Sequence, residues 1–154
     1  MEESIFVTDF VTYDIAKSLK DLGFNEKCFG YFNEKKSFFH HEHPQAFYTR
    51  NDSVESYCTN IFSKRVTRAN ACQAPLWQQV TDWLRIEHKI NINFDFVGID
   101  SCSYIVENLN KIDPNFSTPE FLYVSDMSKS EDFISYYNAR KYAILKAIEI
   151  IRNK

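Results

Sequence analysis

The stretch Ala74–Val97, APLWQQVTDWLRIEHKININFDFV, decides the fold class of this chain. Its first half has apolar residues spaced three and four apart, which is the pattern of an amphipathic helix. These residues are Trp77, Val80, Trp83 and Leu84. From Ile90 the period changes to two, because apolar residues alternate with asparagine and aspartate as far as Phe96. We therefore predict a helix that leads directly into a strand.

The strand is expected to have one buried face and one exposed face. The face predicted to be buried carries Ile90, Ile92, Phe94 and Phe96. The opposite face is polar, so we expect replacement of Asn93 to have almost no effect on stability. The two tryptophans of the helix are interpreted as core residues, because buried aromatic side chains dominate the energetics of packing.

Further along the chain, the same reasoning predicts the other elements. Thr12 can cap a short first helix that stops at Gly23, and residues 28–41 read as a β-hairpin around a polar turn. Two more strands follow the central one, and a long C-terminal helix is predicted to start at a Ser130 cap. Strands this close in sequence pair antiparallel. The predicted fold is α+β, with one antiparallel sheet and helices packed on one of its faces.

The chain has 154 residues, so we predict a single domain over residues 1–154, with an irregular excursion at about 42–73. Hydrophobic residues make up 44% of the chain and aromatic residues 16%, which is ample for a core. The net charge of -3 gives no whole-chain signal for nucleic acid or membrane, and no apolar run is long enough to span a bilayer.

The N-terminal sequence MEESIFVTDF has no basic segment, so we expect no signal peptide and a cytoplasmic location. The four cysteines lack the close spacing of a zinc site and are expected to be reduced thiols in that compartment. They are Cys28, Cys58, Cys72 and Cys102.

A histidine cluster, His40-His41-Glu42-His43, is the most suggestive group for a metal. On a strand, His41 and His43 would share a face, and two imidazoles can hold zinc. No third ligand stands at a recognisable spacing, so we predict no metal and no cofactor. A small metal-assisted hydrolase or nuclease that uses residues 40–43 remains an alternative.

A basic cluster, SKRVTR, contains Lys64, Arg65 and Arg68 in an otherwise acidic chain. Aromatic residues lie near it in sequence, and they are Tyr48, Tyr57 and Phe62. Aromatic rings beside arginine and lysine can stack a base and hold a phosphate. The candidate ligand-binding residues are therefore the three basic residues together with Tyr48 and Tyr57. The alternative is a solvated loop or strand face with ordinary charges.

Catalytic motifs are lacking in the sequence: there is no glycine-rich phosphate loop, no G-x-S-x-G and no H-E-x-x-H. Glu107 stands among apolar residues on a predicted strand, where it is either a solvent-face residue or an acid with a perturbed pKa. We expect the solvent face, since charged side chains are rarely buried. The absence of motifs favours a protein that is not an enzyme.

Much of the chain resembles a family of short, uncharacterised proteins encoded by phages and prophages of Bacteroidetes. The resemblance is carried by FVTYDIAKSLKDLGFNEKCFGYF (10–32), APLWQQVTDWLRIEHKINI (74–92) and YYNARKYAILKAIEII (136–151). In the excursion from Glu42 to Ala71 the chain departs from the family, whose members run shorter there. The resemblance implies a phage-derived accessory protein in a bacterial cytoplasm and supplies no catalytic residue.

Together these features favour non-enzymatic binding as the function. The expected partner is a host protein or a small signalling nucleotide, and counter-defence is the biological role that this setting suggests. A structural or assembly protein is a further alternative, and the sequence leaves open a homo-oligomer.

Overall fold

The computed structural model describes residues 9–33, 35–40, 71–96, 101–113, 118–125 and 135–154. The helices found there are α1 (Tyr13–Asp21), α2 (Trp77–Glu87) and α3 (Tyr136–Arg152). The strands found there are β1 (Gly30–Phe32), β2 (Phe38–His40), β3 (Cys72–Ala74), β4 (Ile90–Phe96), β5 (Cys102–Asp113) and β6 (Thr118–Val124). The α+β class and the C-terminal helix are confirmed.

The described strands form two small antiparallel sheets, with strand orders β2-β1-β3 and β4-β5-β6. The prediction of one sheet was therefore wrong in this respect. The cause is β3, which lies at the end of the region that the sequence marks as irregular. It pairs with β1 in the register Tyr31↔Gln73, so the hairpin completes a sheet of its own.

The chain divides into two compact units, Met1–Gln79 and Val80–Lys154, and the division falls within α2. The single domain over residues 1–154 stays a prediction. Most of the predicted excursion at about 42–73 lies outside the described residues, and its last residues, Cys72 and Gln73, belong to β3.

In the first unit, α1 packs against β3. Thr12 is its N-cap residue, as predicted, although its side chain makes no capping hydrogen bond. The helix buries Ile15, Ala16 and Leu19. Gly23 follows the C-cap with φ of +91°, a left-handed conformation that glycine adopts without strain, so the predicted stop is confirmed.

The hairpin of the first unit is packed by aromatic rings. The ring of Tyr31 stacks on that of Phe39 with centroids 5.3 Å apart, and the ring of Phe38 lies 4.7 Å from that of Phe10. Gly30 is needed beneath these rings, because a Cβ atom there would lie 2.7 Å from Cε2 of Phe38. The backbone and the ring can approach this closely only when the residue has no side chain.

Helix α2 has the amphipathic pattern that the sequence predicts. At its N-terminus, Oε1 of Gln79 accepts a 2.9 Å hydrogen bond from the backbone N–H of Leu76, which satisfies one of the donors that a helix start leaves open. All four predicted apolar positions, from Trp77 to Leu84, are buried. Both tryptophans are therefore core residues, as expected.

The second unit is built on the β4-β5-β6 sheet, with α3 packed against β4 and β5. Ile90 pairs with Asn108, Ile92 with Val106 and Phe96 with Cys102. The register confirms that the four alternating apolar residues of β4 share one face. Ile90 and Ile92 are buried, but Phe96 is 60% exposed, so its predicted burial was wrong.

Helix α3 starts after Ser135, whose Oγ accepts a hydrogen bond from the backbone N–H of Asn138. The start predicted at Ser130 lies outside the described residues. Alanine and isoleucine make the buried stripe of the helix. These residues are Ala139, Ala143, Ile144, Ala147 and Ile148.

Candidate binding surface

The ligand-binding residues predicted from the sequence lie outside the described residues. They are Tyr48, Tyr57, Lys64, Arg65 and Arg68. Of the histidine cluster, His40 belongs to β2, where its backbone pairs with Gly30, whereas His41 and His43 lie outside the described residues. Within the parts of the chain that the structure describes, no group of three or more histidine, cysteine, aspartate or glutamate residues is arranged to hold a metal ion.

An exposed cluster of aromatic rings lies in the second unit, where the end of β4 meets the start of α3. The ring of Tyr136 packs edge-on against Phe94, with centroids 5.2 Å apart, and lies 5.4 Å from the ring of Phe96. Exposure is 60% for Phe96, 42% for Tyr136 and 38% for Tyr137. We call the rings of Phe94, Phe96, Tyr136 and Tyr137 the aromatic patch.

Arg140 lies one helical turn along α3 from the aromatic patch and stacks on it. Its guanidinium carbon is 4.8 Å from the centroid of Tyr136 and 5.9 Å from that of Tyr137. A guanidinium over a tyrosine ring is attracted by the negative face of the ring. Arg140 therefore holds both tyrosine rings in place from the side of the helix.

The local sequence explains why these rings meet. Phe94 and Phe96 are two apart on a strand, so they point to the same face of the sheet. Ser135 starts α3 at the point that brings Tyr136 over both rings. Tyr136 contacts the ring of Phe96 without burying it, since Phe96 remains 60% exposed.

A polar network covers the other face of the same sheet. Nδ2 of Asn91 and Nδ2 of Asn93 donate hydrogen bonds of 2.9 and 2.7 Å to one carboxylate oxygen of Glu107, Oε2. Nδ2 of Asn91 also donates to Oδ1 of Asn93 at 3.0 Å. Glu107 is only 7% exposed, so the expectation that it is a solvent-face residue was wrong about its burial, although right about its face.

The network continues to the C-terminal end of α2. Nε and Nη2 of Arg85 donate to Oδ1 of Asn91 at 3.1 and 2.9 Å, and Nη1 of Arg85 lies 3.5 Å from Oδ1 of Asp82. Asn91 thus uses both ends of its amide, accepting from the arginine and donating to the glutamate. This arrangement fixes the Glu107 side chain on the sheet.

Two of the buried thiols, Cys28 and Cys72, belong to the core, and His88 is half-buried. Burial raises the pKa of Cys28 and of Cys72 to about 12 in each case, which leaves little thiolate for chemistry. Burial also lowers the pKa of His88, whose ring packs edge-on against Trp83 at 4.5 Å. Cys28 and Cys72 therefore lack the environment of a nucleophile.

Sequence reasoning missed the aromatic patch, because its two halves are about 40 residues apart. The high aromatic content of 16% was the sole hint that some rings would remain outside the core. The Glu107 network shows in the sequence on β4 alone, where Asn91 and Asn93 alternate with apolar residues. Glu107 has no such alternation, since Ile105 and Val106 precede it and Asn108 follows it.

None of the helices within the described residues is long and apolar enough to cross a membrane. Comparisons of the chain with protein-family models, with curated proteins and with solved structures found no match.

Proposed function

We propose that this protein acts by non-enzymatic binding and that the aromatic patch is the surface that contacts its partner. The observation that supports this is the exposure of Phe96, Tyr136 and Tyr137 beside Arg140. The biological setting we propose is that of a phage-derived accessory protein in a bacterial cytoplasm, where capture of a host protein serves counter-defence.

The composition of the aromatic patch supports a protein as the partner. Tyrosine and arginine are enriched among the residues that contribute most of the binding energy in protein interfaces. Exposed aromatic area is unfavourable in water by about 25 cal/mol per Å², and a partner that covers it recovers this free energy. Ring contacts hold Phe94, Phe96 and Tyr136 together before binding, so little conformational entropy is lost when a partner covers them.

A signalling nucleotide is the second class of partner to test. Aromatic rings also stack on bases, and the guanidinium of Arg140 is close by. The basic cluster that would complete a phosphate site lies outside the described residues. The contacts of the aromatic patch therefore favour the protein partner.

The experiment is native mass spectrometry of the tagged protein isolated from bacterial cells, run in parallel for the wild type, Tyr136→Ala and Tyr142→Ala. Tyr142 is a matched control, because it is 47% exposed on the same helix and makes no ring contact with the described residues. We expect a stoichiometric partner on the wild type and on Tyr142→Ala, and its loss from Tyr136→Ala.

Three other results would contradict the proposal. Equal retention by Tyr136→Ala would remove the aromatic patch from the binding surface. A bound metal ion would support the hydrolase alternative with the His40–His43 cluster. A large homo-oligomer without another bound species would support the structural alternative.

A further inference from the structure

Glu107 is a buried carboxylate on the sheet face that carries the polar network. It pairs with Asn91 in β4 and with Phe121 in β6, so all three side chains share this face. Glu107 is 7% exposed, whereas Phe121 is 54% exposed. Glu107 and Phe121 are opposite each other in the β5–β6 pairing, beside a register shift between Val106 and Glu107, so the carboxylate and the exposed ring belong to neighbouring strands.

The two carboxylate oxygens of Glu107 are used differently. Oε2 accepts hydrogen bonds from both Asn91 and Asn93, which fills its two lone pairs. Oε1 accepts none from any described residue, and Glu107 forms no ion pair with a described cation. Oε1 is not one of the buried polar atoms that lack a partner, so it is the carboxylate oxygen that solvent can reach.

The neighbouring cation cannot supply this ion pair. The guanidinium of Arg85 is bound to Oδ1 of Asn91 and to Asp82, so its charge is matched by the aspartate. Its effect on Glu107 is indirect. By fixing Oδ1 of Asn91, it turns the NH₂ group of that amide toward the carboxylate. Arg85 and the two asparagines thus preorganise Glu107 with Oε1 left available.

We propose that Oε1 of Glu107 binds the primary ammonium group of a lysine side chain presented by a protein partner. An acceptor with a single available oxygen suits a donor that acts as a point charge. An arginine would lose its favoured bidentate pairing here, because Oε2 already accepts two hydrogen bonds. The exposed ring of Phe121 adds a cation–π contact, and Val124, 51% exposed on the same face, is positioned for the aliphatic stem.

This site is separate from the aromatic patch, which lies on the opposite face of the sheet. Phe94 and Phe96 alternate with Asn91 and Asn93 along β4, so the two groups cannot share a face. The lysine site can be tested with a small amine, and the result does not depend on the identity of the partner proposed for the aromatic patch.

The experiment is an NMR titration of the full chain with Nα-acetyl-lysine methylamide, with Nα-acetyl-norleucine methylamide as the neutral probe of nearly the same shape. We expect the lysine probe to bind at millimolar concentration and to shift the side-chain amide signals of Asn91 and Asn93. The norleucine probe should leave them in place. No shift with lysine, or equal shifts with both probes, would overturn the proposal.

Two variants test whether the lysine ammonium group binds at Glu107 and Phe121. Glu107→Gln keeps the shape of the side chain and removes its charge, so affinity for lysine should fall by about tenfold. Phe121→Leu changes an exposed position that does not support the core, and should weaken lysine binding by about threefold through loss of the cation–π contact. Unchanged lysine affinity in Phe121→Leu and in folded Glu107→Gln would overturn the assignment. If Glu107→Gln does not fold, Phe121→Leu decides alone.

Discussion

Asn93 and Glu107 are joined across β4 and β5 by a hydrogen bond of 2.7 Å from Nδ2 of the asparagine to Oε2 of the carboxylate. This contact changes the expectation for the polar face of the sheet. The alternation in β4 predicts that Asn93 is exposed, which is correct, and that its replacement is almost silent. Because it holds a buried carboxylate, its replacement should be measurable.

The first prediction concerns this network. Asn91→Ala removes the amide that links Arg85 to Glu107, and should lower the free energy of unfolding by about 1–3 kcal/mol, because the buried carboxylate loses a donor. Asn93→Ala should cost somewhat less, since its amide makes fewer hydrogen bonds within the network. Chemical denaturation of the purified variants measures both values.

Asn110→Ala is the matched control for these two variants. Asn110 lies exposed on β5, outside the network. Its replacement should change the free energy of unfolding by less than about 0.5 kcal/mol. An Asn91→Ala variant as stable as Asn110→Ala would show that the network does not support the sheet.

The second prediction concerns Gly30. In Gly30→Ala the new methyl group would lie 2.7 Å from Cε2 of Phe38 and 3.0 Å from the backbone oxygen of Phe39. Carbon atoms pack best at about 3.5–4.0 Å, so the ring must move and stability should fall by about 1–3 kcal/mol. Thermal unfolding of Gly30→Ala, Phe38→Leu and the double variant forms a cycle. A smaller loss for Gly30→Ala in the Phe38→Leu background supports the contact, and strict additivity contradicts it.

The third prediction concerns pH. Burial lowers the pKa of His88 in the folded state, and no described residue accepts or donates a hydrogen bond at its Nε2. Below a pH of about 6.5, the ordinary pKa of histidine, His88 is protonated in the unfolded chain but stays neutral in the folded chain until the pH reaches its lower folded pKa. Stability should therefore fall as the pH is lowered through about 6.5 toward the folded pKa.

The variant His88→Gln isolates this contribution from that of the carboxylates. Denaturant unfolding at pH 7.5 and at pH 5.5 should show a smaller loss of stability in His88→Gln than in the wild type. An equal loss in the two proteins would mean that His88 does not titrate differently in the folded and unfolded states.

The fourth prediction concerns the cysteines. A thiol with a pKa of about 12 is ionised at pH 8 in about one molecule in ten thousand, so Cys28 and Cys72 should react slowly with iodoacetamide in the folded protein. In denaturant without reductant, all four cysteines should be labelled, as the sequence predicts. Peptide mass spectrometry measures the labelling in the folded protein and in denaturant. Labelling of Cys28 in the folded protein as fast as that of a free thiol would contradict its burial.

The sequence predicted the elements with strong local patterns. Residues three and four apart gave α2, and the alternation from Ile90 gave β4, because in each case the period itself reports which face is buried. The order of the three later strands followed from their short connections. The prediction of a single sheet was wrong because β3 has three residues, which are too few to show a period.

The candidate surface was harder to predict because it depends on which residues of one element contact another. The alternation cannot tell that Tyr136 of α3 contacts Phe94 and Phe96 or that Phe96 stays exposed. Likewise, the residues around Glu107 in the sequence do not indicate the two amides of a neighbouring strand that bind its carboxylate. Both features depend on contacts between segments that are distant in the sequence, and a single sequence contains no direct signal for such contacts.

The most direct test of the proposed function is the dissociation constant of the partner recovered with the wild-type protein, measured by isothermal titration calorimetry for Phe96→Ala and Tyr142→Ala. Phe96 is 60% exposed and belongs to the aromatic patch, whereas Tyr142 is 47% exposed and lies outside it. We predict that Phe96→Ala weakens binding by about tenfold or more and that Tyr142→Ala changes it by less than about twofold. Equal affinities for Phe96→Ala and the wild type would contradict the assignment of the binding surface to the aromatic patch.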